Sequence, residues 1–390
     1  MRVGIMTMYH GNFNFGGQLQ ALALQHAVES FGYDCKVIDF AAAINAFALR
    51  KIVHVSFDIL SKKTKQKAMY WIKNKTDKDF HKNCALRKKR FRNFMERIPH
   101  TDFCTSVTIR DLFINEFDAC IVGSDQVWNP EWWVPEYFLD FASERTKKIA
   151  YAASLGTGKL SETDGKYLAD QTKNFAAISL REQGAEKFLQ KYISRPLTTT
   201  LDPTLLWNKS FWDTVAVKPD ITEPYVVFYF PGGKSESVLR ICHMFCEQEG
   251  LKLVAFPHFQ GKHDAADEKY SHIRDYSSGP AEFLGLIKHA RYVMTGSFHA
   301  TVFSIIFHKQ FVSFRKEAEK SAPAEILRNG SLLKSLGIED RLVQHDWIPQ
   351  LSLLDKMVDY TATEKRLSEL REESLSFLKN ALGGRSSIDG

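Results

Sequence analysis

Short apolar runs, each followed by a stretch with helical spacing, recur along most of this chain, and that alternation restricts the fold more than any other feature. Residues 1–7 read as a buried strand. A Gly/Asn loop follows, then a helix over about 18–31 with Leu19, Leu22, Ala23 and Val28 on its apolar side. Gly32 ends that helix, and 35–40 is the next strand. Further strands are expected at 117–122, 148–154 and 176–180. After a linker at 219–224 the pattern restarts, with strands at 225–230, 251–256, 291–295 and 310–314 and helices at 235–248 and 281–289. At 390 residues the chain exceeds the usual limit for one core. The expectation is therefore α/β, with two doubly wound Rossmann-like domains facing a cleft: 1–207, carrying a basic helical insertion at about 50–97, and 220–345. Residues 346–390 add a C-terminal helix at about 360–381, packed outside or crossing back to the first domain, and a disordered tail. In such sheets ligands bind beyond the carboxyl ends of the strands, so the loops there should line the cleft.

Composition narrows the function classes. Hydrophobic residues make up 44% and charged residues 25%, as in an ordinary soluble protein. No apolar run reaches the roughly eighteen residues of a membrane span, and the first residues do not read as a signal peptide. The six cysteines are scattered, and the spacing of Cys242 and Cys246 is a weak metal signal, so a reduced cytoplasmic setting is expected. Charge is uneven: residues 50–97 hold sixteen Lys and Arg against four Asp and Glu, a local +12 in a chain of net +6. That segment reads equally as a solvated helical face and as a surface that meets anionic lipid, which would make the protein peripheral at the inner face of a membrane. No nucleic-acid motif accompanies the charge, so nucleic acid is not an expected partner.

Four stretches carry chemistry. In TGSFHATVFSIIFHK (295–309), Ser297 or Thr295 can cap a helix whose free N–H groups and dipole suit an anion, with Thr301 close by. His299, in the first turn, carries an imidazole, a side chain suited to proton transfer. In NFNFGGQLQALALQ (12–25), Gly16 and Gly17 allow close backbone approach, and Asn14 and Gln18 could bond sugar hydroxyls or pack the loop. In IVGSDQVWNP (121–130), Ser124, Asp125 and Gln126 offer polar partners and Trp128 an apolar platform, as carbohydrate binding needs, or a capped turn over core indoles. In AAISLREQG (176–184), Arg181 follows a strand and can hold a carboxylate or phosphate, or pair with Glu182 or Asp202. Asp202-Pro203-Thr204 reads as a structural turn. GxGxxG, P-loop, HExxH and GxSxG patterns are missing, so metal-free chemistry on an anionic donor is the simplest inference.

Taken together and in order, FNFGGQLQALALQ, DACIVGSDQVWNP with YFLDF, KKIAYAASLG, ISLREQG, LDPTLLW and VMTGSFHATVFSIIFHKQF resemble the polysaccharide pyruvyl transferase family over about 1–315. The resemblance implies a GT-B-like enzyme that moves the pyruvyl group of phosphoenolpyruvate onto a sugar of a surface-polysaccharide precursor, lipid-linked or nucleotide-linked, to form a cyclic ketal without a cofactor. It makes His299 and Arg181 the catalytic expectations. Ser297, Thr301, Arg315, Gly232 and Gly233 are expected on the donor side, and Asn14, Gly16, Gly17, Gln18, Ser124, Asp125, Gln126 and Trp128 on the acceptor side. Two departures stand out. Many members have Arg-Leu-His where this chain has Ser297-Phe298-His299, leaving Arg315 or Lys309 to replace the arginine. A related form reads Asp-Ser-Phe-His-Gly, so Gly296 lacks a carboxylate that could orient His299. The alternatives are a GT-B glycosyltransferase using a nucleotide sugar, for which Glu282 is the one ribose-binding suggestion, and a catalytically silent glycan- or membrane-binding partner.

Overall fold

The computed structural model describes residues 1–42, 77–156, 160–231, 236–257, 265–316, 319, 322–346 and 351–383. In the first half the strands are β1 (Arg2–Met6), β2 (Asp34–Val37), β3 (Phe40–Ala41), β4 (Cys104–Thr105), β5 (Ala119–Val122), β6 (Lys147–Ala153), β7 (Ala177–Leu180) and β8 (Thr198–Thr199). All but β3 and β4, which pair with each other, form one parallel sheet in the order β2-β1-β5-β6-β7-β8. The second half holds β9 (Tyr225–Tyr229), β10 (Lys252–Ala255), β11 (Ile273–Arg274), β12 (Tyr292–Thr295), β13 (Gln310–Phe314) and β14 (Leu342–Val343). These form a second parallel sheet, β11-β10-β9-β12-β13-β14. In both, strand order reverses beside the first strand of the half, the crevice in which doubly wound sheets bind ligands.

The long apolar runs became the central strands because both of their faces are covered by helices: β5 and β12 are buried at every residue. The edge strands β8, β11 and β14 are two residues each and carry no apolar run, which is why periodicity does not announce them. The first helix starts at Phe15, earlier than its apolar spacing suggests, because the Asn14 side chain caps it by accepting the Gly16 N–H at 3.0 Å.

Several contacts join the halves, among them the following three. Phe15 stacks on Phe283 with ring centroids 4.4 Å apart, flanked edge-on by Tyr229 and Phe256. The C-terminal helix Tyr360–Gly383 crosses back to the first sheet, where Ser374 accepts the Leu201 N–H at 3.0 Å and Arg371 donates to the Leu205 carbonyl at 2.9 Å. The third is the Lys78–Met95 helix, the described part of the basic segment 50–97. Its Arg87 is buried and donates to the carbonyls of Pro257 and Asp275, while Arg90 pairs with Glu282 at 3.0 Å. This corrects a reading of the segment as wholly a solvated or lipid-facing surface: these two charges act as a strut between domains. Residues 50–76 and the tail after 383 lie outside the described residues.

Candidate active site

The carboxyl ends of both sheets converge on one charged cluster. Arg181, just past β7, is buried and donates from Nη1 to Asp202 Oδ2 at 2.8 Å. Its Nε lies 3.4 Å from Glu182 Oε1 and its Nη2 4.0 Å from Asp125 Oδ1. The guanidinium sits 4.3 Å above the Phe298 ring, a cation–π contact from the other domain. Burial opposes the Arg181 charge, but Glu182, Asp202 and Asp125 outweigh it and raise its pKa.

His299 enters from the second domain. The Phe298–Ile306 helix follows β12, capped by Ser297, whose Oγ accepts the Ala300 N–H at 3.4 Å. His299 is buried in its first turn, with Nε2 3.6 Å from the same Asp202 Oδ2 that holds Arg181. That distance is too long for a hydrogen bond and short enough for an ion pair with the imidazolium. Nδ1 lies against Gly16, where a Cβ would sit 1.9 Å from it. The glycine thus makes room for the imidazole rather than for a ligand, and the second glycine packs on Asn12.

Asp202 pairs with Arg181, as one of the two partners the sequence offered, but its central place in the site was missed. Read as a turn, it is a fully buried carboxylate at the centre of the site. Beyond Arg181 it accepts from Ser124 Oγ at 3.0 Å, Thr204 Oγ1 at 2.6 Å and the Thr204 N–H at 3.1 Å. Burial would raise its pKa, but the neighbouring His299, then Arg181 and Thr204, hold it well below the usual carboxylate range. At Gly296 this chain lacks the carboxylate of the related form. A Cβ there would meet Phe230 at 2.5 Å, so position 296 has no room for a carboxylate, and the opposite domain supplies one to face His299.

The remaining expectations divide. Asp125 is nearly buried with a left-handed backbone (φ 63°), its Oδ1 accepting the Gln126 N–H at 2.9 Å, and belongs to the cluster. Ser124 belongs through Asp202. Trp128 does not: it is fully buried, stacks on Phe138 and donates its indole N–H to the Tyr137 carbonyl at 3.0 Å, so it is a core residue and not a sugar platform. Gln18 is likewise buried and donates to the carbonyls of Tyr9 and Asn12, shaping the loop. Gln126 accepts from Asn129 at 3.1 Å, and Asn14 is engaged as a cap. Thr301 turns inward, donating to the Ser297 carbonyl at 3.0 Å and lying 3.2 Å from Ser313 Oγ. Arg315 Nη1 donates to the Ala322 carbonyl at 2.7 Å, and Lys309 donates to the Lys288 carbonyl from the far end of the helix. Lys309 therefore cannot replace an arginine at 297. Gly232 and Gly233 lie outside the described residues. A further cation, Arg328, opens the Arg328–Ser335 helix; burial and then the charge of Arg181 depress its pKa, with Asp125 and Glu182 opposing.

Among the described residues, His243, Glu247 and His272 form a group close enough to hold a metal ion, away from this cluster. His272 Nδ1 accepts the Leu253 N–H at 3.0 Å, which puts the ring proton on Nε2, 2.6 Å from Glu247. The hydrogen bond uses the atoms a cation would need.

Two facing parallel sheets, with a histidine from one and an arginine–aspartate pair from the other, define a GT-B-like fold with a charged site between its domains. The chain belongs to the polysaccharide pyruvyl transferase family, whose model matches residues 14–315, and it is accordingly a transferase. No curated protein matches it in sequence. Solved structures share its fold at low identity. A protein described as a UDP-N-acetylglucosamine 2-epimerase from Listeria monocytogenes is 10% identical, with a TM-score of 0.56 over 100% of this chain and 98% of that one. UDP-GlcNAc 2-epimerase from Methanocaldococcus jannaschii is 11% identical, with a TM-score of 0.50 over 96% and 93%. S. aureus MnaA, solved with UDP, is 12% identical, with a TM-score of 0.50 over 100% and 99%.

Proposed function

We propose that the donor is phosphoenolpyruvate and that His299 is the acid that activates it toward a sugar of a surface-polysaccharide precursor. The observation that carries this is the sharing of one buried carboxylate oxygen, Asp202 Oδ2, by Arg181 and His299. Asp202, 3.6 Å from Nε2, holds a charged imidazole in place electrostatically, and the imidazole of His299 carries the mobile proton. That proton goes to C3 of phosphoenolpyruvate, the C2–C3 π electrons forming the new C–H bond, and C2 becomes electrophilic. A sugar hydroxyl oxygen bonds to C2 and its proton returns to the imidazole. The C2–O bond to phosphate then breaks, and a second hydroxyl bonds to C2 to close the ketal, its proton leaving with phosphate. The capped N-terminus at Ser297 and the Arg181 and Arg328 guanidiniums are the groups suited to the donor's phosphate and carboxylate. The nucleotide-sugar reading loses its one candidate. Glu282 accepts the Gly279 N–H at 3.0 Å and pairs with Arg90, so it is committed to a helix cap and the interdomain strut.

The test is calorimetry with phosphoenolpyruvate beside common sugar nucleotides, with deuterium incorporation at C3 followed by NMR in D2O. Wild type should bind phosphoenolpyruvate and exchange. His299→Gln should still bind it, while exchange falls about 10²–10⁴-fold, the usual contribution of a general acid. Binding of a sugar nucleotide without phosphoenolpyruvate would make this a glycosyltransferase.

A further inference from the structure

One cavity reaches the charged cluster from the side. It holds about 540 Å3 between the β8 edge, the Arg328–Ser335 helix and the C-terminal helix. Its inner end is Arg181, Asp202, Leu205 and Phe298, all buried. Its outer end is Lys187, Thr198, Arg366 and Glu373, all exposed. The cavity therefore runs from solvent-exposed residues to the buried pair beside His299.

The lining selects the occupant. The mouth carries both signs: Lys187 and Arg366 are set against Glu186 and Glu373, and Arg366 already pairs with Glu369 at 2.9 Å. A balanced rim gives no net attraction for an anion, so neither a phosphate nor a nucleotide is the matched ligand. The walls alternate hydroxyls and aliphatic surface, with Thr199, Thr200 and Ser335 beside Leu197, Leu201 and Leu370. These hydroxyls donate within the protein, Thr199 to Glu186, Thr200 to Ser179 and Ser335 to the Leu332 carbonyl, so what they offer a ligand is oxygen lone pairs. Acceptor oxygens beside apolar patches suit a pyranose ring, which presents donating hydroxyls at its edge and C–H groups on its faces, and the volume lies within the range of small-ligand sites. The loop residues once expected to meet the acceptor are engaged elsewhere, with Trp128 and Gln18 buried and Gly16 filled by His299.

We propose that this pocket is the acceptor site and that it takes the uncharged terminal sugar of a longer glycan, entered end-on with the rest of the chain left outside the mouth. The inference rests on the transferase reading above and deepens it, since the inner end places the terminal ring against the Arg181–Asp202 pair.

The experiment uses the full chain and a panel of methyl glycosides of glucose, galactose, mannose and their N-acetylated forms, read by saturation-transfer NMR. Two variants block the pocket: Thr198→Trp at the exposed mouth, where folding is not burdened, and Ser335→Trp in the wall. The expected result is that wild type binds at least one glycoside, and that both variants weaken it about tenfold or more while keeping the wild-type melting temperature and phosphoenolpyruvate affinity. Glycoside binding unchanged in Thr198→Trp and Ser335→Trp would overturn the proposal, as would a wild type that binds phosphoenolpyruvate but none of the panel. Loss of phosphoenolpyruvate affinity in both folded variants would also overturn it, by making the pocket the donor's. Failure of wild type to bind phosphoenolpyruvate would instead strike the donor assignment and leave the glycoside comparison readable.

Discussion

Replacing Asp202 by Asn keeps the shape of the side chain and removes one charge from the centre of the site. In the native protein that carboxylate accepts from Arg181 at 2.8 Å, Ser124 at 3.0 Å and Thr204 at 2.6 and 3.1 Å, and it faces His299 at 3.6 Å. Breaking a buried ion pair on one side costs about 3–5 kcal/mol, because the remaining charge is stranded. Here Glu182 at 3.4 Å and Asp125 at 4.0 Å still neutralise part of the Arg181 charge, so the lower end applies, about 3 kcal/mol. For a domain of this size that is a fall of about 6–12 °C in melting temperature. The pH dependence separates charge from packing. The Asp202 pKa is depressed on folding, so its contribution is present above the unfolded carboxyl value of about 3.9 and is lost as pH falls toward the folded value. Thermal denaturation of wild type and Asp202→Asn should show a gap at pH 7 that narrows below about pH 4 as wild type loses its advantage. A gap of the same size at pH 3 and pH 7 would refute the electrostatic account and leave a steric one.

Two further outcomes follow from the same geometry. Gly16→Ala puts a methyl 1.9 Å from His299 Nδ1, so the imidazole must move; turnover should fall about 10²-fold with donor affinity nearly unchanged, as steady-state kinetics would show. Arg87→Ala removes buried charged hydrogen bonds to Pro257 and Asp275 across the domains, and should cost about 1.5–3 kcal/mol in urea titration, while Lys88→Ala, exposed on the same helix, should cost almost nothing.

Much of the architecture was legible along the chain because parallel strands covered on both faces must be apolar throughout. The 310–314 run became β13 to the residue, and the 291–295 run became β12 one residue shorter. The loops that carry the site were legible for a related reason, since polar and small residues collect where strands end in a doubly wound sheet. What each loop residue does was less legible. Trp128 looks like a sugar platform in sequence, yet the indole serves the core because Phe138 and Phe175 close over it.

The sequence by itself determined the central strands and their helices, the two-domain α/β organisation and the placing of His299 at a helix start, because these follow from local spacing and capping. Only the tertiary structure decided the partners. Asp202 and His299 are 97 residues apart (299 − 202), and nothing local in Leu-Asp-Pro-Thr reveals a buried charge. The pairing exists because the C-terminal helix, the Arg87 strut and the Phe15–Phe283 stack hold one domain's strand ends against the other's. A carboxylate there is desolvated and must find a cation, so long-range packing and not local pattern sets the chemistry of the site.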